Sequence, residues 1–195
     1  MMTHTAAGLV WLAGVLGWYG IRYPFERKAN KIGVRKSLFD RRETTILAFV
    51  LLCLFVLPLS YVLLGFPASL DRPFIPAIAW LGLVPLAAAL WLFRQSHVVL
   101  GRNWSISLEL RDQHALVKTG VYRLIRHPMY SSFFLLGIAQ MLLLSNWLQD
   151  ASALLGAGAF YAFRISREEK MMLECFGDDY RAYMAHTKQF IPWLI

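Results

Sequence analysis

Apolar residues along the chain gather into five runs, with charged or turn-forming residues between them. Ala6 to Ile21 is the first, Thr45 to Phe66 the second, Phe74 to Phe93 the third, Ser131 to Leu148 the fourth and Ala151 to Ile165 the fifth. A helix that crosses a bilayer needs about 20 mostly apolar residues, so each run is read as a transmembrane helix. The fifth is short, and only Gln149 and Asp150 part it from the fourth, which predicts a tight helical hairpin turning at those two residues. Ser152, Gly156, Gly158 and Ala162 give the fifth helix small residues that suit close packing in lipid. The expected fold class is an all-α integral membrane protein with five transmembrane helices, folded as a single domain over residues 1–195.

The segments between runs carry their own patterns. In residues 104–120, SISLEL alternates polar and apolar, with Ile106, Leu108 and Leu110 on one face. RDQH reads as a turn before ALVKTG, so a short hairpin or extended loop is expected there. Ser166 to Lys188 reads as a helix broken at Gly177, with Asp178 placed to cap its second part.

Composition and charge sharpen this picture. The chain is 57% hydrophobic and 16% charged, against about 45–50% and about 25% for soluble domains. The net charge of +8 does not call for nucleic acid, because the basic residues flank the apolar runs. Eight Lys or Arg fall in residues 22–44, six in 94–130, five from Arg164 onward and one, Arg72, between the second and third runs. With five spans, 19 of the 20 lie on one side. The positive-inside rule then puts the N-terminus outside and the C-terminus in the cytoplasm. The membrane is the cell membrane if the chain is prokaryotic and the endoplasmic reticulum if it is eukaryotic. No Lys or Arg precedes Arg22, so no cleavable signal with a basic n-region is expected.

The usual soluble signatures are missing. There is no G-x-G-x-x-G, no Walker loop and no G-x-S-x-G elbow. The five histidines have no metal-ligand spacing, and Cys53 and Cys175 sit in unlike settings, so neither a metal nor a disulfide is expected. What remains is polar groups at the edges of the last two runs. In FRISREEK, Arg164 and Glu168 are four apart and share a helix face, which suits a surface ion pair, a snorkelling arginine or a cavity-facing site equally. Glu169 fits a capping box with Ser166. Pro128 suits the first turn of the fourth helix and disfavours helical geometry at His127. Arg126 and His127 then read as a basic flank beside a helix terminus that favours anions.

Taken together, LGRNWS, HALVKTGVYRLIRHPMY and FRISREEKMMLECFGDDYRAY resemble the isoprenylcysteine carboxyl methyltransferases, over Leu100 to Pro192. The five-run length is similar to small, prokaryotic-type members. The resemblance implies a cofactor, S-adenosylmethionine, held in a cytoplasmic pocket formed by the C-terminal half, within residues 100–195. It places the cofactor along His114, Ala115, Leu116, Val117 and Tyr122, with His127, Pro128, Met129 and Tyr130 as the next wall. It implies that Glu168 meets the cofactor ammonium, that Glu109 falls near a cofactor-contacting position and that Arg164 contacts the substrate. The acidic run leaves Glu168 and Glu169 as alternatives for the ammonium.

These residue types suit that chemistry. An ammonium seeks a carboxylate, and the cofactor carboxylate seeks donors such as Arg126, His127 or the helix start. The acceptor carboxylate is already ionised, so positioning rather than a base does most of the work, with Arg164 as its planar fork and Arg126 beside it. The expected partners are a lipid-tailed or prenylated acid and membrane lipids. A phospholipid amine N-methyltransferase, a nicotinamide-dependent reductase and a non-enzymatic scaffold or transporter are the alternatives.

Overall fold

The computed structural model describes residues 1–29, 31, 34–37, 40–104, 109–111 and 115–191. The first apolar run lies in α1 (His4–Ala29), which continues past Ile21 through Arg22 and Arg27. The second forms α2 (Arg41–Leu51) and α3 (Leu57–Leu64), joined by a π-helical turn at Leu52–Val56. Pro58 lies at the start of α3; it has no N–H, and its ring crowds the carbonyl four residues back, so a widened turn before it relieves the clash. The third run forms α4 (Pro76–Leu81) and α5 (Leu83–Leu100), and the fourth forms α6 (Pro128–Leu143). The fifth lies within α7 (Trp147–His186), a helix of 40 residues.

Among the described residues, Arg41–Leu64 and Pro76–Asn103 are long and apolar enough to cross a membrane, and Pro128–Leu143 is a shorter apolar helix. The outer face of the bundle is greasy. Leu16, Leu63, Trp80, Val84, Trp91 and Leu154 are each more than half exposed, a surface that suits lipid rather than water.

Three local expectations are corrected. The hairpin turns at Leu144–Asn146, not at Gln149 and Asp150, which lie buried in the first turn of α7. Asn146 fixes the turn as N-cap, its side chain accepting from the Leu148 N–H at 3.0 Å. Ser166 is inside α7, so it caps no helix and Glu169 has no capping-box role. Of the two forms expected for residues 104–120, the hairpin is overturned: β2 (Glu109–Arg111) pairs antiparallel with β1 (Val34–Ser37) from the first polar segment, while ALVKTG runs without a strand. Two expectations hold. Pro128 opens α6 after a non-helical His127, and Gly177 is the one non-helical residue in α7, at φ 50°. Positive φ costs an L side chain roughly 1–2 kcal/mol, which glycine avoids.

An aromatic ladder ties the helices together. Trp18 of α1 stacks on Phe93 of α5 at 5.2 Å, Phe93 meets Phe133 of α6 at 5.9 Å, and Phe133 meets Phe160 of α7 at 5.1 Å. Gly156 lets α7 approach the π-helical turn so closely that an added Cβ would sit 2.8 Å from Cys53 Cβ. The polar ends of the bundle separate. At one end, Arg72 pairs with Asp150 at 3.0 Å while Asn146 donates to Asp71 at 2.9 Å. At the other, the three basic segments meet: β1 pairs with β2, Asp40 reaches Arg167, and Arg126 reaches Glu169.

Candidate active site

The site is built where α6 begins. Ahead of it, the chain runs through a short 3-10 turn, Gly120–Arg123, and then pairs with the tail. The Arg126 N–H donates to the Lys188 carbonyl at 2.7 Å and the His127 N–H to the Gln189 carbonyl at 3.0 Å. Ser131 Oγ donates to the Phe190 carbonyl at 2.8 Å. The end of the chain is therefore strapped across the start of α6.

Glu169 is the hub beneath that strap. Its Oε1 accepts from Arg126 Nε at 3.0 Å and lies 3.0 Å from His127 Nε2, while Oε2 accepts from Gln189 Nε2 at 3.1 Å. Burial pushes this carboxyl up, but the His127 hydrogen bond and the Arg126 charge outweigh it and hold the group below its ordinary value. Arg126 also donates to the carbonyls of Met184 and Thr187. Its guanidinium thus joins α7 to the tail.

Glu168 has a different setting. Tyr130 donates its hydroxyl to Glu168 Oε2 at 2.5 Å, and Glu168 Oε1 is 3.9 Å from His127 Nδ1. The Glu168 side chain is 31% exposed against 12% for Glu169, so Glu168 is the acid at the water-facing rim. One turn back on α7, Arg164 is buried with its Cζ 4.9 Å from the Phe160 ring centre and 6.0 Å from that of Tyr130. Its Nε lies 3.0 Å from Glu43 Oε1. Arg164 and Glu168 share a face, as their spacing predicts, and Tyr130 meets both.

The fold brings Arg126, His127, Tyr130, Arg164 and Glu168 to one place, with Pro128 buried at the start of α6 and Met129 packed against the core. Tyr122 is buried nearby; its carbonyl accepts from the Tyr183 hydroxyl. Burial first, and the Glu168 charge second, raise the Tyr122 hydroxyl well above its ordinary value. Leu116 and Val117 are half-buried and Ala115 is exposed, its N–H donating to Asn103 Oδ1 at 3.3 Å. For Glu109 only the backbone is described, in β2, and His114 lies outside the described residues. Among the described residues, no group of three or more His, Cys, Asp or Glu is placed to hold a metal ion.

Glu43 and Gln189 were missed by sequence reasoning. Asp40 and Glu43 form a D-x-x-E start before an apolar run, a cap pattern. The Asp40 carboxylate does accept from the Glu43 N–H, at 2.7 Å. The side chain of Glu43 turns instead to Arg164, a tertiary contact that the pattern alone does not contain.

Beside the polar cluster lies an apolar cavity of about 590 Å³ between α5, α6, α7 and the tail. Val121, Ile125 and Ser131 line it, immediate neighbours of Tyr122, Arg126 and Tyr130. Trp91, Leu124 and Ile138 form its exposed rim.

A helical bundle with a lipid-suited surface and an acid–arginine–histidine cluster at one end has the features of a membrane protein. The profile of the isoprenylcysteine carboxyl methyltransferase (ICMT) family matches residues 80–174. A rice protein (Oryza sativa subsp. indica) named "Probable protein-S-isoprenylcysteine O-methyltransferase" is 28% identical over 167 residues, covering 81% of this chain and 86% of its own. A Xenopus laevis protein-S-isoprenylcysteine O-methyltransferase is 30% identical over 127 residues, covering 63% of this chain and 44% of its own. A solved structure of the eukaryotic intramembrane Ras methyltransferase ICMT superposes with a TM-score of 0.52 at 25% identity, over 80% of this chain and 55% of that one. Over residues 80–174 the chain is thus similar to the isoprenylcysteine carboxyl methyltransferase family.

Proposed function

We propose that this chain is a membrane carboxyl O-methyltransferase that moves a methyl group from S-adenosylmethionine to the terminal carboxylate of an isoprenylcysteine or a similar lipid-tailed acid. The likeness to that family carries the reaction class. The observation that carries the site is Arg164 and Glu168 on one face of α7 with Tyr130 between them.

The residues fit the donor. When bound, S-adenosylmethionine supplies an electrophilic methyl group on a sulfonium. Glu168 offers a rim carboxylate for its ammonium, already oriented by Tyr130, whereas Glu169 has both oxygens engaged within the protein. Adenine is assigned to Tyr122, Leu116 and Val117, and Glu109 and His114 fall in the segment just before them. Arg126 acts through Glu169 and the tail, holding His127 in place. Arg164 presents a planar cation to the acceptor carboxylate. The apolar cavity suits the lipid tail. Its volume is in the usual ligand range of about 300–1,000 Å³, and its exposed rim is apolar.

Five spans with the N-terminus outside and the C-terminus in the cytoplasm agree with the meeting of all three basic segments at one end. Charge removal from the acceptor would tighten its hold on the membrane.

The test is calorimetric titration of S-adenosylmethionine into detergent-purified protein, followed by labelled methyl transfer to a farnesyl-cysteine analogue and to phosphatidylethanolamine. Donor binding that weakens at least tenfold in Glu168→Ala, with label in the cysteine analogue, is the expected result. Label confined to the amine lipid, or no donor binding, rejects the reading.

A further inference from the structure

We infer that Glu43 is a positioning residue for the methyl-transfer reaction, holding Arg164 in the orientation that the acceptor carboxylate meets. The inference rests on the reading of Arg164 given above. Glu43 is fully buried on the first turn of α2, far in sequence from the motifs around α6 and α7. A buried carboxylate is tolerated only beside a cation. Its two oxygens lie 3.0 Å from Arg164 Nε and 3.8 Å from Arg167 Nη1.

The framework around the pair is itself fixed. Asp40 caps α2 through the Glu43 N–H at 2.7 Å and takes Arg167 Nη2 at 2.7 Å. The first turn of α2 is thereby pinned to α7 through Arg167, beside the Glu43–Arg164 contact. Arg164 is also held from its face by Phe160 and Tyr130. A guanidinium gripped at its Nε edge and packed against aromatic rings has little freedom to rotate. Tyr130 in turn bonds Glu168. The order Glu43, Arg164, Tyr130, Glu168 links the acceptor side of the site to the donor side through direct contacts.

Asp40 and Glu43 with Arg164 and Arg167 make a formally neutral set. Neutralising Glu43 leaves an excess positive charge near Arg164 and removes its anchor. The acceptor is then still attracted but poorly aligned, which is a defect in turnover more than in affinity.

The experiment compares Glu43→Gln, Glu43→Asp, Arg164→Ala and the Glu43→Gln/Arg164→Ala double variant in full-length protein. Rates are referred to the number of S-adenosylmethionine sites counted by calorimetry. Glu43→Gln is expected to lower kcat about 10- to 100-fold. The acceptor KM should change less than kcat, and donor affinity should hold within about twofold. Glu43→Asp, which keeps the charge, should recover part of the rate. Added to Arg164→Ala, Glu43→Gln should cost nothing further, because the group it positions is gone. If Glu43→Gln does not fold, the same comparison is made with Glu43→Asp. An active-site rate within twofold of wild type, or a loss that persists undiminished beside Arg164→Ala, overturns the inference alone. Unchanged turnover in Arg164→Ala overturns both the inference and the reading of Arg164.

Discussion

Replacing Glu169 by alanine is expected to loosen the strap over the start of α6. The carboxylate holds Arg126 and His127 at 3.0 Å each and Gln189 at 3.1 Å, with its side chain only 12% exposed. Removing one partner of a buried ion pair costs about 3–5 kcal/mol, because the other charge is left without compensation. The lower end applies here. Arg126 keeps the Met184 and Thr187 carbonyls, and His127 keeps Glu168 at 3.9 Å. A loss of about 3 kcal/mol lowers the melting temperature of a chain this size by about 6–12 °C. The loss should be local as well as global. The Arg126 and His127 amides donate to the Lys188 and Gln189 carbonyls, so their hydrogen exchange should quicken while the α1 amides keep their protection. Thermal unfolding and exchange mass spectrometry in detergent read both effects. A fall below about 1 kcal/mol with unchanged exchange at 121–130 would refute the hub.

Other outcomes follow from the same coordinates. Because the Glu169 carboxyl is held below its ordinary 4.5, its share of stability is present above that pH and is lost as the pH falls through the native value. Wild type should therefore lose more melting temperature than Glu169→Gln on acidification from pH 6 to about 3.5. Gly156→Ala should destabilise by about 1–3 kcal/mol, since its Cβ would meet Cys53 Cβ at 2.8 Å. Gly158→Ala, with nothing within 4 Å, should be neutral or stabilising by up to about 1 kcal/mol. Chemical denaturation of the two variants separates them, and equal effects would show that α7 does not pack closely at Gly156.

Hydrophobic pattern located the helices, because burial in lipid or core demands long apolar runs whichever neighbour they meet. It misplaced the hairpin turn, because Gln149 and Asp150 look like turn residues. Their polarity is absorbed by contacts from elsewhere: Arg72 bonds Asp150, and Gln140 donates to the Gln149 carbonyl at 2.9 Å. Local spacing also made a capping box of Ser166 and Glu169. Whether a helix starts or continues there depends on packing against α2, which no short window records. For the site, the motifs around Arg126 and Arg164 were legible because each lies in one compact segment. Glu43 and Gln189 were not, since they reach the cluster only after chain segments more than a hundred residues apart, or beyond the end of α7, fold together. The pairing of β1 with β2 escaped for the same reason, whereas Gly177 was legible because its break comes from the residue itself.

The unbroken run of α7 from Trp147 to Phe176 has a mechanical consequence. Arg164 and Glu168 ride on one stiff rod, so the axial separation of the two groups is fixed by backbone rise at about 6 Å. No hinge between them can open or close the gap. The break at Gly177 lies nine residues beyond Glu168, so it leaves this spacing untouched.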